Sequence, residues 1–333
     1  MGLYSMRNSW LHKVGLMINA IFKSVVAFAP ATVANVGPGF DIFGLALSGP
    51  GDRVTVRPTK DKGVRINRIQ GDGGLLPTDA KKNTAGVACI KLSQALGLST
   101  GIEIDLQKNL PLKSGLGSSA ASSVAAVLAA NHLFGSPFRR EELLPFVVEA
   151  ERIACGAAHA DNVAPCLLGG FSIVRDLASF DIIRVPIPDQ LSCTVIHPHV
   201  ELSTRQSRAV LPAQLNIDDV SRQCGNASAL VSAFFLSDYE LIARSLADVL
   251  AEPARKHLIP YYDSMKGAAM EAGALGFGIS GSGPSVFALC KGKESAKMVT
   301  LACESVLRRH DMGVDSYSSM LTDTGARVVE VIS

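Results

Sequence analysis

Apolar and polar positions recur along this chain with two periods, and the change from one to the other marks its elements. Residues 25–29 are a short apolar, β-prone run ended by Pro30, and residues 30–41 read as a turn-rich loop. Alternation predicts strands over residues 52–57, 64–69 and 102–106. Helical spacing predicts a helix over 83–96, stopped by Gly97, and a long Ala/Val/Leu helix over 120–134, closed by Gly135 and Pro137. A further helix is expected over 141–154, and Gly169-Gly170 marks a turn before a strand at 171–174.

Pro186 and Pro188 interrupt the pattern and set a soft boundary near residues 179–190. Beyond it, the spacing predicts a strand at 193–197 and helices at 219–236, 239–250 and 261–272. A second glycine loop over 276–284 leads to a strand at 285–289, a helix at 294–307 and a last strand at 327–332. No internal repeat is visible, and helices and strands mix without strict βαβ alternation, so the fold class is α+β. A length of 333 residues suits two domains. The reading is an N-terminal extension over 1–24, a first domain over 25–185 and a second over 186–333.

Composition narrows the function. The chain is 47% hydrophobic and 19% charged, which excludes a disordered chain. Its net charge is +2, without a long run of Lys or Arg, so neither a nucleic acid nor a membrane surface is the expected partner. Seven cysteines are widely spaced, with no CxxC and no zinc-ligand pattern, and read as reduced thiols of a cytoplasmic protein. Val14 to Phe22 is apolar, but Lys23 interrupts it and Pro30 directly follows the small-residue site at Ala27-Phe28-Ala29, which argues against a secretory signal. No apolar run reaches the ~18 residues that a membrane span needs.

The strongest chemical signal is Leu110-Pro111-Leu112-Lys113-Ser114-Gly115-Leu116-Gly117-Ser118-Ser119-Ala120-Ala121. Two glycines let backbone approach a ligand closely, and the helix behind them presents free N–H groups and a positive dipole end. Such a loop cradles phosphate, and Ser118 and Ser119 add hydroxyls for phosphate or Mg²⁺. It is not a Walker loop, because no Gly-Lys-Ser/Thr closes it. A dinucleotide fingerprint would need the loop in the first βα turn and an acid about 20 residues on, which is absent.

This loop resembles the ATP loop of the GHMP kinases, a family of small-molecule kinases. Two further stretches fit it in the right order. Residues 28–41, with Asn35 and Asp41, resemble the first family motif, and residues 278–285, with Gly281 and Gly283, resemble the third. The resemblance covers about residues 25–333. It implies a two-domain fold, ribosomal S5 domain 2-like then ferredoxin-like, with ATP in the cleft. Lys113 departs from the small residue usual at its position.

Within the family, His159-Ala-Asp161-Asn162, Ser203-Thr204 with Arg208, and Glu252-Pro-x-Arg255 fit best the members that phosphorylate L-homoserine with ATP and Mg²⁺ on the route to threonine. The resemblance then implies Arg208 and Arg255 on a substrate carboxylate, which guanidinium forks grip well. It puts Asp41 and Asn35 on the ammonium, with Thr204, Gly281 and Gly283 completing the substrate site. It gives Mg²⁺ to Ser119 and Glu151. Asn83 is either a helix N-cap or a contact to adenine. Asp161 falls where other members keep a base, whereas the resemblance places Asn162 at the reacting hydroxyl. His159 is a further base candidate, although a lone His more often serves the core. A sugar, mevalonate or diphosphocytidyl-methylerythritol kinase is the alternative enzyme, but a sugar would not require two carboxylate-binding arginines. A non-catalytic relative should have lost Ser119, Glu151 or the glycines. Monomer and homodimer both stay open.

Overall fold

The structure is a computed structural model that describes residues 19–156 and 160–333. Its first sheet begins with strands β1 (Ser24–Ala34), β2 (Phe43–Thr59), β3 (Val64–Gln70) and β4 (Gly101–Gln107). Strands β5 (Phe171–Asp176), β6 (Asp181–Val185) and β11 (Arg327–Ile332) complete it. The order is β11-β1-β2-β4-β3, with β5 paired to the first residues of β2 and β6 to β5. Among the described residues only β3 and β4 pair in parallel.

Residues 30–34, expected as loop, continue β1. Pro30 is tolerated because the pairing with β2 shifts register between Pro30 and Thr32, and a bulge has no use for the missing N–H. β2 is much longer than the expected 52–57. Its first five residues are all buried, so they show no alternation.

Helices α1 (Thr84–Leu96), α2 (Ser118–Leu133), α3 (Leu144–Cys155) and α4 (Ala160–Leu168) pack together with this sheet. Every α2 residue except Ser119 and His132 is buried, as expected of a helix apolar all round. Its alanines let the neighbouring helices and the sheet come close. Sequence periodicity missed α4, which carries Pro165 inside and opens with polar residues.

The second sheet contains β7 (Leu191–Pro198), β8 (Gly276–Ile279), β9 (Val286–Lys291) and β10 (Val314–Met320), in the order β10-β7-β9-β8. All eight residues of β7 are buried, consistent with its central place. β8 occupies the first part of the expected second glycine loop, and the serine-rich β10 escaped the apolar pattern. Between β7 and β8 lie α5 (Thr204–Ala209), α6 (Ile217–Leu236), α7 (Tyr239–Ser245), α8 (Glu252–Arg255) and α9 (Tyr262–Glu271). α10 (Gly292–Arg308) packs on β7, β9 and β10, with Val299, Cys303 and Leu307 buried.

The final strand leaves this sheet. β11 pairs with β1, so the second half of the chain closes the first sheet, and the expected 186–333 unit does not keep its last strand. The described N-terminus is tied in as well. The Ile21 N–H donates to the Leu133 carbonyl at 3.0 Å and the Lys23 N–H to the Ile332 carbonyl at 2.8 Å. Most of the expected extension, residues 1–18, lies outside the described residues. Among the described residues no helix is long and apolar enough to cross a membrane.

Candidate active site

The loop between β4 and α2 meets the loop between β8 and β9. The Ser280 hydroxyl donates to the Gly115 carbonyl at 2.7 Å, and the Ser285 N–H to the Ser114 carbonyl at 3.3 Å. Gly115 and Gly117 have φ of +78° and +65°, which favours glycine. A Cβ on Gly115 would lie 2.5 Å from the Ser280 oxygen, and one on Gly117 would lie 2.1 Å from the Thr32 hydroxyl. Contact between the two loops therefore requires Gly115, and the close approach of the first loop to β1 requires Gly117. Lys113 also has a positive φ, +53°, which costs a lysine energy.

A cavity of about 1100 Å³ opens beside the loops. Leu112 to Gly115 and Gly117 to Ala120 line it, as do Asn83 and Glu151. Of the expected nucleotide residues, Pro111, Leu116 and Ala121 do not line it, and Leu116 and Ala121 are buried in the core. Gly117 is the N-cap of α2, so the first N–H groups of that helix are aimed at the loop region. The Ser119 hydroxyl donates to Glu151 Oε1 at 2.5 Å. Asn83 is the N-cap of α1: its Oδ1 accepts from the Ala85 N–H and its Nδ2 donates to the Pro77 carbonyl, both at 3.0 Å.

The same cavity reaches Asn35, Asp41, Thr204, Arg208, Arg255 and Gly281; Gly283 stays behind the wall, against the loop. Asp41 and Arg208, expected at opposite ends of a substrate, bond to each other. Arg208 Nη2 donates to both Asp41 oxygens, at 2.8 and 2.9 Å. The Nε of Arg208 is buried without a protein partner. Asn35 holds loops together: its Oδ1 accepts from the Asp41 N–H at 2.9 Å and its Nδ2 donates to the Gly281 carbonyl at 2.8 Å. Arg255 donates to the Ser207 and Gly281 carbonyls, and burial lowers its pKa. Both guanidinium groups lie over the Phe40 ring, at 5.6 Å for Arg208 and 5.1 Å for Arg255.

Asp161 and Asn162 open α4 between these two regions. Asn162 Oδ1 accepts from the Thr32 hydroxyl at 2.8 Å, leaving its amide N–H groups for the cavity it lines. Asp161 is buried, and burial together with the negative charge of Asp41 pushes its carboxyl up to about 7. His159 lies outside the described residues.

Sequence reading missed several wall residues. Lys108 lines the cavity immediately before the loop. His197, at the end of β7, accepts or donates at 3.0 Å with the Ser285 hydroxyl, and burial lowers its pKa. Leu75, Leu76 and Pro77 line the Asn83 side. Lys108 was the most legible of these, since its place beside the glycine loop is visible in the chain.

Comparison with known proteins identifies the family. Residues 83–170 match the GHMP kinases N terminal domain and residues 230–308 match the GHMP kinases C terminal domain. The chain belongs to the GHMP kinase family, and it is a small-molecule kinase. Its relatives narrow the grouping to the homoserine kinases. That of Chloroherpeton thalassium is 46% identical over 92% of this chain and 100% of its own length. That of Chlorobaculum tepidum is 45% identical over 93% of this chain and 100% of its own. The crystal structure of homoserine kinase from Cytophaga hutchinsonii superposes with a TM-score of 0.91 at 47% identity, covering 95% of this chain and 100% of that one.

Proposed function

We propose that this chain transfers the terminal phosphoryl group of ATP to the side-chain hydroxyl of L-homoserine, giving ADP and O-phospho-L-homoserine for threonine synthesis. The observation that carries this reading is the single cavity, with a glycine loop and the Ser119–Glu151 pair on one part of its wall and Asp41, Arg208 and Arg255 on another. Homoserine carries an ammonium, a carboxylate and a hydroxyl. Asp41 matches the ammonium, and the two guanidinium groups match the carboxylate.

The glycine loop and the α2 N-terminus suit a polyphosphate, because free N–H groups and the dipole end both favour negative charge. Leu75, Leu76 and Pro77 supply an apolar surface for a base near Asn83. Ser119 and Glu151 offer two hard oxygens, which fits Mg²⁺, an ion that takes one or two side-chain ligands and completes its shell with phosphate and water. When bound, Mg²⁺ would neutralise charge on the transferring group.

Asn162 would orient the substrate hydroxyl with an amide N–H, which holds the oxygen but takes no proton. Asp161 is the adjacent group able to accept that proton, since a carboxyl near 7 is half ionised at neutral pH. In a loose transfer transition state, positioning dominates and proton removal can come late. The cytoplasmic reading is supported by the six cysteines whose side chains are described, all free thiols and five of them buried.

The test is ADP release with ATP and Mg²⁺ against homoserine, mevalonate and galactose. Turnover with homoserine at least about tenfold above the others is expected, one decade being ~1.4 kcal/mol of transition-state preference. Equal or greater turnover with mevalonate or galactose would overturn the substrate assignment.

A further inference from the structure

A buried ion pair lies directly beneath the glycine loop. Lys108 follows β4, Asp52 is in β2, and their side chains are only 2% and 1% exposed. The Lys108 ammonium bonds the Asp52 carboxylate. It also donates to the Ser118 carbonyl at 2.7 Å and to the Ser122 hydroxyl at 2.8 Å. Ser122 in turn donates to Asp52 Oδ2 at 2.8 Å. The other Asp52 oxygen accepts from the Asn109 and Leu110 N–H groups, at 2.9 and 3.2 Å, where the loop begins.

An ammonium has three protons, and all three of these are spent inside the protein. Although Lys108 lines the cavity, it has no donor left for a phosphate in this arrangement. What the pair does instead is fasten both ends of the loop. Asp52 holds the entry at Asn109 and Leu110, and Lys108 holds the exit at Ser118, beside the metal-site residue Ser119. Lys108 also ties the end of β4 to the end of β3. Its N–H donates to the Gln70 carbonyl at 2.8 Å, and its own carbonyl lies 2.2 Å from where a Cβ of Gly71 would be.

We infer that Asp52 and Lys108 are positioning residues: a buried clamp that sets the spacing between the two ends of the phosphate loop and so preorganises nucleotide binding. Burying two charges has a desolvation cost, and an apolar pair of similar volume often serves stability as well. Geometry at the loop is what this pair adds that an apolar pair would not. The inference rests on the glycine loop binding ATP, as proposed above.

The test separates geometry from stability and from the kinase reading itself. Lys108→Met leaves the Asp52 charge buried, so it is compared with the neutral double variant Asp52→Asn/Lys108→Met. In the double variant the amide introduced at position 52 keeps an oxygen for the Asn109 and Leu110 N–H groups. The readouts are melting temperature, hydrogen exchange of residues 111–121 in the ligand-free protein, and ATP affinity by calorimetry without homoserine. The double variant is expected to regain most of the melting temperature lost by Lys108→Met. It should still exchange its loop amides about tenfold faster than wild type. It should also bind ATP about tenfold or more weakly, with the homoserine KM within about twofold.

Recovery of ATP affinity together with melting temperature would reduce the pair to a structural role and overturn the inference. So would wild-type loop exchange in the double variant. An Asp52→Asn single variant with unchanged exchange and ATP affinity would mean that Lys108 acts alone, which also overturns the clamp. If wild-type protein binds no ATP, the kinase reading fails, while loop exchange still decides the clamp.

Discussion

Replacing Asp41 by Asn tests the substrate assignment at the residue where the structure says most. In the free protein Asp41 and Arg208 neutralise each other, with side chains 43% and 38% exposed. A zwitterionic substrate bound as proposed would part them, exchanging one internal pair for two pairs to itself. At this exposure an ion pair contributes ~0.2–1 kcal/mol, so opening it is cheap. Truncating one side of a charged contact to a ligand costs ~2–5 kcal/mol when buried, and the lower end applies to a half-exposed carboxylate. Asp41→Asn loses that contact but no longer has a pair to open, which leaves about 1–3 kcal/mol, or roughly 5- to 150-fold in kcat/KM for homoserine.

Two features make this substitution clean. The backbone φ of Asp41 is +59°, a conformation asparagine adopts as readily as aspartate. Loss of a half-exposed pair should also leave stability within about 1 kcal/mol. Saturation curves for homoserine and ATP decide the matter. Most of the loss should appear in the homoserine KM, with the ATP KM nearly unchanged. Homoserine lactone, which lacks a free carboxylate, should be a very poor substrate for the wild-type enzyme. A raised ATP KM with an unaltered homoserine KM would refute the assignment, because Asp41 would then not face the amino acid.

Four further outcomes follow from the geometry. Ser119→Ala and Glu151→Gln should each fold, yet lose more than about tenfold in turnover if the pair holds the metal; smaller losses would contradict that role. Asp161 has its carboxyl raised to about 7 in the folded state, against about 3.9 when unfolded, so the native state holds the extra proton between those values. Stability from this group therefore falls as pH rises from about 4 to about 7. The advantage of Asp161→Asn over wild type in denaturant midpoint should then be larger at pH 8 than at pH 5, and an equal difference would show that Asp161 does not titrate there. Lys113→Gly should stabilise by up to about 1 kcal/mol in denaturant titration by relieving the positive φ, because the 3.6 Å contact to Glu201 it gives up is exposed. Gly117→Ala should weaken ATP binding by at least about tenfold in calorimetry, since its Cβ would meet the Thr32 hydroxyl at 2.1 Å; wild-type affinity would show that the loop can yield.

What could be read from the chain differs between the elements and the site for physical reasons. Glycine-rich loops are visible because few residues tolerate positive φ, and Gly115 and Gly117 both sit there. Amphipathic helices such as α10 are visible because one face alone is buried. Continuously buried segments are harder. The first residues of β2 lose the alternation that marks a half-exposed strand and escape the pattern, whereas β7, also buried throughout, is still legible as a short apolar run at 193–197. β10 is the opposite case, a serine-rich edge strand with only Ser319 buried. The return of β11 to β1 depends on pairing across the whole chain, which no local pattern encodes.

Site residues divide along a different line. Asp41, Arg208 and Arg255 could be assigned by chemical complementarity, but their mutual arrangement could not. Asp41 and Arg208 pair with each other, and Asn35 spends its side chain on the Asp41 N–H and the Gly281 carbonyl. The second glycine loop, through Gly281, thus anchors the segment that carries Asp41, while Ser280 anchors Gly115 in the phosphate loop. One strip of backbone therefore braces both the part of the cavity wall suited to the amino acid and the part suited to the nucleotide. Geometry at either can then be disturbed by a substitution that touches neither ligand. Ser280→Ala removes only the hydroxyl bond to Gly115, and its effect on ATP affinity at unchanged fold would measure how much of the loop's shape is set from across the cleft rather than by its own glycines.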